Sequence, residues 1–252
     1  SGEMSTTCNV LRLVKEELGY ERMFIIDSGN LSTGIGLQVL RAAELAEAGR
    51  SAEEITAEIE GARDKVRASF VVERLDYLAM GGRCSTVTAL LGGKLNLKPR
   101  VEVKGGKMAA GKKYRGTQDK VILKYVQDMR ESLLEADPGR VFITHSGCPE
   151  PVIAEVKQYL EALDVFQDIR ITRAGGVISS HCGPGTLGVL FIAGGTKFGP
   201  YDKQFDTNKN GIMEDDERTE EAAYIRHMVE QENIENSQED DSDDEYERQY
   251  DN

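Results

Sequence analysis

The stretch SSHCGPGTLGVLFIA, residues 179–193, places a polar turn directly before the longest apolar run of the chain. Gly183-Pro184-Gly185 requires unusual backbone angles, which glycine adopts readily, so a sharp turn is predicted there. The apolar run that follows, residues 186–193, has about half the length that a membrane-spanning helix needs. The sequence therefore predicts a strand here, with His181 in the turn that precedes it.

Outward from this strand, apolar periodicity predicts alternating helices and strands. Ser51 with Glu54 forms a capping box, Gly105-Gly106 indicates a hairpin, and Pro138-Gly139 is expected to stop a long helix. Helices are predicted at residues 10–18, 37–49, from 51 onward, 119–135 and 150–163, and further strands at 23–26, 68–72, 98–103, 107–114, 141–144 and 169–172. This order is typical of an α/β fold with at least one antiparallel hairpin.

Charge divides the chain into two parts. Its 252 residues include 31 basic and 44 acidic side chains, and residues 196–252 hold 6 of the basic and 19 of the acidic ones. We therefore predict a neutral body at residues 1–195 and an acidic tail at 196–252, disordered from Gln238 onward. A neutral body argues against nucleic acid and anionic membranes as partners, since both need a basic face.

The four cysteines are far apart in the sequence and lack the close pairing of zinc or redox sites. Cys8, Cys84, Cys148 and Cys182 are therefore interpreted as free thiols of a reducing compartment. With no signal peptide and no membrane span in the sequence, a cytoplasmic protein is predicted.

Several short motifs occur in a specific order along residues 1–193. They are Ile26-Asp27-Ser28, Leu75-Asp76-Tyr77-Leu78, Gly81-Gly82-Arg83, Leu95-Asn96-Leu97-Lys98-Pro99, Arg115-Gly116 and the run from Ser180 to Gly188 that contains His181 and Gly183-Pro184-Gly185. In this order they resemble the DegV family. The resemblance implies a two-lobed α/β fold with a mixed sheet, in which a long-chain fatty acid lies in a tunnel between the lobes.

The resemblance also implies a role without catalysis. Such proteins are similar to the carrier subunit of bacterial fatty acid kinases, which presents the acyl carboxylate to a separate kinase that forms acyl phosphate from ATP. The family has an upstream segment of the first lobe that this sequence lacks, so the chain is expected to be incomplete at its N-terminus.

Four residues match positions that the family uses around the carboxylate or in transfer: Ser5, Arg115, His181 and, as a weaker match, Arg83. Thr6 replaces the glycine of the family's Ser-Gly-Thr motif. Hydroxyl, guanidinium and imidazole donors would offset the cost of desolvating a carboxylate. Each residue also has a simpler explanation: Ser5 as a helix cap, His181 as a structural hydrogen-bond partner, Arg115 as a solvated side chain and Arg83 as part of a turn.

The acidic tail suggests a second function, that of a calcium-binding or calcium-responsive interaction protein. Residues 206–217 resemble an EF-hand loop, with Asp206, Asn208 and Asn210 as side-chain ligands, Ile212 as a carbonyl ligand and Glu217 as a bidentate carboxylate. The alternative is an acidic linker that matches this pattern through its composition.

Overall fold

The structure, a computed structural model, describes residues 6–81 and 97–194. Its helices are α1 (Thr6–Leu18), α2 (Thr33–Glu47), α3 (Ala52–Ala62), α4 (Asp76–Met80), α5 (Gln118–Gln127), α6 (Arg130–Leu134), α7 (Glu150–Ala162) and α8 (Gly176–Cys182). Its strands are β1 (Val66–Val71), β2 (Lys98–Lys104), β3 (Lys107–Tyr114), β4 (Ala136–Ser146), β5 (Ile169–Arg173) and β6 (Thr186–Ala193).

The strands form one mixed sheet in the order β3-β2-β1-β6-β4-β5. The β4–β5 pair is parallel, whereas the other four pairs are antiparallel. β6 lies between β1 and β4, and all of its residues from Thr186 to Phe191 are buried. The α/β fold with a mixed sheet is therefore confirmed, and the apolar run at residues 186–193 is one of its two central strands.

Helices cover both faces of the sheet. On one face, Leu37 of α2 packs in a cluster with Ala68, Phe142 and Leu190. On the other face, α5 contacts β1, α6 contacts β6, and α7 contacts β4 and β5. Because side chains alternate along a strand, Ser69 of β1 points away from α2 and meets Tyr125 of α5.

Several local signals in the sequence are confirmed. The Ser51 hydroxyl accepts from the Glu54 N–H, and the Glu54 carboxylate accepts from the Ser51 N–H, so the capping box is formed. Gly105 and Gly106 have φ of 54° and 72°, the left-handed conformation that a two-residue hairpin between β2 and β3 requires. α1 is also present, although Leu13 and Leu18 on it stay largely exposed.

Three predictions about elements were wrong. Residues 23–26 belong to no strand, because this connection between α1 and α2 packs against α1, with Lys15 over the Phe24 ring and Cys8 Sγ against the Ile26 carbonyl oxygen. The helix predicted at 119–135 is broken after Gln127: Asp128 pairs with Lys112, and Met129 packs under Ser69 of the sheet. Pro138-Gly139 lies inside β4, at an irregularity in its pairing with β6, and ends no helix.

Residues 195–252 lie outside the described part of the chain, so the boundary at residue 195 and the disordered tail stay predictions. Across residues 6–81 and 97–194, no helix is long and apolar enough to cross a membrane.

Asp168 provides a test of how β5 is held at the sheet edge. Hydrogen bonds from Arg170 and Arg140 lower the pKa of Asp168, with Arg140 Nε 2.7 Å from its carboxylate. A carboxylate whose pKa is lowered in the folded state adds stability at pH values above its unfolded-state pKa. This stability is lost as the pH falls through the folded-state pKa. We expect Asp168→Asn to reduce the free energy of unfolding at pH 7 by up to about 1 kcal/mol, and the difference from wild type to vanish well below pH 4.

Urea denaturation between pH 3 and pH 7 measures this difference. Asp64→Asn is the control, because Asp64 is 83% exposed and its contact with Arg63 is 3.6 Å long. A pH-independent effect at Asp168, or an equal effect at Asp64, would contradict the prediction.

Candidate functional site

Two of the sequence motifs, a hundred residues apart, meet at His181. The imidazole lies against the bare backbone of Gly81, where a Cβ atom would stand 2.2 Å from His181 Cδ2. Next to it, Gly183 has a φ of 78° and faces the Tyr77 ring. A Cβ atom added to Gly183 would stand 2.4 Å from Tyr77 Cδ2. These contacts bring α4 and α8 together: close packing favours glycine at both residues, and the positive φ favours it at Gly183 as well.

The hydrogen bonds of His181 define which ring nitrogen is available. Nδ1 lies 2.6 Å from the Val177 carbonyl oxygen. Because a carbonyl only accepts, Nδ1 carries the proton, and Nε2 is an acceptor in the neutral ring and a donor in the charged one. The structural hydrogen bond that the sequence allowed therefore exists, and Nε2 has no hydrogen-bond partner within residues 6–81 and 97–194. Residues 179–182 belong to α8, and the predicted turn is limited to the glycines and proline after it.

Arg115 lies in the exposed turn between β3 and α5. Three residues later, Gln118 Nε2 donates to the Gly185 carbonyl at 2.7 Å. Gly185 ends the turn that follows α8, so this bond ties the Arg115 turn to the turn after His181. Nothing in the sequence signalled Gln118, because its partner is a backbone atom 67 residues away.

A small apolar cavity of about 30 Å³ lies beside α8 on the α2 face of the sheet. Ile178 and Cys182 of α8 line it together with Phe70, Gly188 and Leu190. Burial raises the pKa of the Cys182 thiol to about 11, so this side chain stays neutral and forms an apolar wall. Typical ligand pockets have volumes of roughly 300–1,000 Å³, so the described residues do not enclose a long acyl chain and the tunnel stays a prediction.

Two larger open grooves have a different character. One, of about 620 Å³, is bordered by the ion-paired residues Arg41, Glu58, Arg140 and Asp168. The other, of about 830 Å³, is bordered by Arg63, Arg67, Arg100, Glu102 and Lys104. An acyl chain would gain little from such charged walls, whereas the cavity beside α8 has an apolar lining.

The remaining predicted site residues lie outside the described residues. These are Ser5, Arg83 and the calcium ligands Asp206, Asn208, Asn210, Ile212 and Glu217. Within residues 6–81 and 97–194, no group of three or more His, Cys, Asp or Glu side chains could hold a metal ion.

Comparison with known proteins identifies the family. The family model described as "Uncharacterised protein, DegV family" matches residues 1–194. The chain belongs to the DegV family. A DegV domain-containing protein of Deinococcus radiodurans is 37% identical over 189 residues, which cover 75% of this chain and 66% of that protein. The chain thus spans just under two thirds of the length of this curated relative.

Solved structures of DegV family members have the same fold. A DegV family protein from Thermus thermophilus, described as fatty acid binding, is 33% identical with a TM-score of 0.67, over 75% of this chain and 67% of that one. A DegV lipid binding protein from Thermotoga maritima is 27% identical with a TM-score of 0.62, over 77% and 66%.

Replacement of Gly81 tests the packing at His181. In Gly81→Ala the new methyl group would overlap the imidazole, so we expect the ring to move and the protein to lose roughly 1–3 kcal/mol of stability from overpacking. The chain has 3 histidines, so ring signals in two-dimensional NMR can be assigned by substitution. Gly61→Ala in α3 is the control, because no atom lies within 4 Å of its Cβ position. Unchanged His181 signals in Gly81→Ala would exclude the described contact.

Proposed function

We propose that the protein binds a long-chain fatty acid and acts as a carrier that presents the acyl carboxylate to a separate kinase. The proposal rests on the side chains that α8 presents. Ile178 and Cys182 line the apolar cavity, while His181 on the same helix holds Nε2 free of protein partners among the described residues. A fatty acid needs such a pairing of an apolar wall with a polar group at one end.

The head group would be held by charge-assisted hydrogen bonds. A carboxylate at the mouth of an apolar site is partly desolvated, and leaving it unpaired is costly. A protonated His181 donates from Nε2, and Arg115 can donate from its guanidinium because it is exposed in the neighbouring turn. The match to the family adds Ser5 as a hydroxyl donor and Arg83 as a second cation.

The carrier role explains why the same residues would also serve transfer. Acyl phosphate forms when a carboxylate oxygen attacks the γ-phosphorus of ATP and ADP leaves. In this proposal the kinase supplies ATP and the catalytic groups, and the carrier supplies an oriented carboxylate. An arginine beside the carboxylate can stabilise the negative charge on the phosphoryl group as it is transferred. The implied ligand is a long-chain fatty acid, and the implied partner is a fatty acid kinase in the cytoplasm.

A calcium function for residues 206–217 stays a prediction from the sequence. Its ligands lie outside the described residues, and the relatives compared above are described by their family or by the lipids they bind. The fatty-acid proposal therefore takes precedence.

The proposed ligand can be sought directly. We expect purified protein, with any residues that the gene encodes before Ser1 included, to release one long-chain fatty acid per chain on denaturing extraction. Mass spectrometry of the extract against an internal standard gives the ratio. Absence of lipid, together with no uptake of added oleate, would rule out the proposed function.

Removal of the two head-group candidates should separate binding from transfer. We expect Arg115→Ala and His181→Ala to slow acyl phosphate formation with a fatty acid kinase more than they weaken oleate binding. Loss of one charge-assisted hydrogen bond costs on the order of 1.5–3 kcal/mol in the step that uses it, which corresponds to roughly a tenfold to hundredfold change. Arg50→Ala is the control, because Arg50 is an exposed partner of Glu54 in a helix-end ion pair. Wild-type turnover in the first two variants would remove both residues from the site.

A further inference from the structure

α5 is held against β6 at two points by side chains seven residues apart. Gln118 and Tyr125 are separated by about two helical turns, so they project from the same face of the helix. Gln118 binds the backbone at Gly185, and Tyr125 binds the backbone at Val189. The two contacts involve the residue directly before β6 and a residue in the middle of this central strand.

The Tyr125 hydroxyl bridges two strands. It accepts from the Val189 N–H at 3.0 Å and donates to the Ser69 carbonyl at 2.7 Å. Ser69 and Val189 face each other in the β1–β6 pairing, so the phenol links β1, β6 and α5 at one rung of the sheet. Burial raises the pKa of Tyr125, so the hydroxyl keeps the proton that it donates.

Gln118 makes the second contact at a cost in stability. Nε2 is bonded to Gly185, but the buried Oε1 has no hydrogen-bond partner in the part of the chain that the structure describes. A buried acceptor without a donor destabilises the folded state, and a leucine of similar size would not carry this penalty. Stability alone therefore does not explain a glutamine at this residue. Its bond to Gly185 instead fixes the turn after α8.

The spacing of the two contacts matches the geometry of both elements. Seven helical residues span about 10 Å, and the four residues from Gly185 to Val189 span about 13 Å in a strand. α5 is thus fastened along the first half of β6. The Arg115 turn precedes α5, and the turn that joins His181 of α8 to β6 contains Gly185, so the two contacts limit how far Arg115 and His181 can move relative to each other.

We propose that Gln118 and Tyr125 are positioning residues of the head-group site, which fix the Arg115 turn relative to His181. The proposal rests on the proposed function, because it assigns the two residues to the carboxylate that this site would hold. The apolar cavity beside α8 lies on the opposite face of the sheet, next to Gly188 and Leu190. Loss of the contacts made by Gln118 and Tyr125 should therefore affect the orientation of the head group more than the affinity for the acyl chain.

Gln118→Leu in the full chain is the decisive variant. Hydrogen exchange followed by mass spectrometry should show the first turn of α5, where the Val121 N–H donates to the Thr117 carbonyl at 3.0 Å, exchanging at least about tenfold faster, since its local opening is no longer opposed by the bond to Gly185. The melting temperature should change by less than about 4 °C, because removal of the unpaired Oε1 offsets loss of the bond. Gln127→Leu, at the exposed end of the same helix, is the matched control and should behave as wild type. Unchanged exchange of the Val121 amide in Gln118→Leu overturns the proposed positioning role.

The functional role is measured separately with oleate as the probe. We expect Gln118→Leu and Tyr125→Phe to keep the oleate Kd within about twofold, while kcat for acyl phosphate formation falls about tenfold and the KM for the carrier is unchanged. Equal losses in affinity and kcat would indicate a structural role and overturn the proposal. If wild type binds oleate but yields no acyl phosphate, the kinase part of the proposed function fails, and the oleate dissociation rate becomes the readout. Faster oleate release from Gln118→Leu and Tyr125→Phe supports the positioning role, and an unchanged rate opposes it. If wild type binds no oleate, the proposed function fails and the head-group role falls with it.

Discussion

The contact between the His181 imidazole and the backbone of Gly81 is the constraint on which the candidate site depends. A side chain at residue 81 would displace the imidazole, and at Gly183 both the Tyr77 ring and the φ of 78° favour glycine. Together the two contacts set α8 directly on α4. Because His181 and the cavity-lining Ile178 and Cys182 share α8, this packing positions the polar and apolar parts of the site as one unit.

β6 joins this unit to the rest of the fold. Its side chains alternate, so Gly188 and Leu190 face the cavity while Val189 is bonded through its backbone to α5 on the other face. The strand follows His181 after a short turn, and α5 follows Arg115 after another. A central strand buried on both faces can therefore hold the exposed Arg115 turn and the turn after α8 at a defined separation.

Much of the fold could be predicted from the sequence, because apolar periodicity, the capping box at Ser51 and the glycine pair at residue 105 act locally. The errors have tertiary causes: residues 23–26 contact α1 and join no strand, and α5 ends where Asp128 and Met129 make contacts with β3 and β1. His181 and Arg115 were identified through family resemblance. Gln118 and Tyr125 were missed, because their partners are backbone atoms more than 50 residues away that no sequence pattern encodes.

The central claim is that α8 carries both ends of the lipid site. Isotope-filtered NOE measurements on the protein loaded with oleate test it most directly. If α8 contacts both ends of the lipid, NOEs are expected from the oleate protons next to the carboxyl group to the His181 ring, and from the acyl chain to Ile178 and Leu190. NOEs from the acyl chain to Val156 or Leu160 of α7, on the opposite face of the sheet, with none to α8, would contradict it.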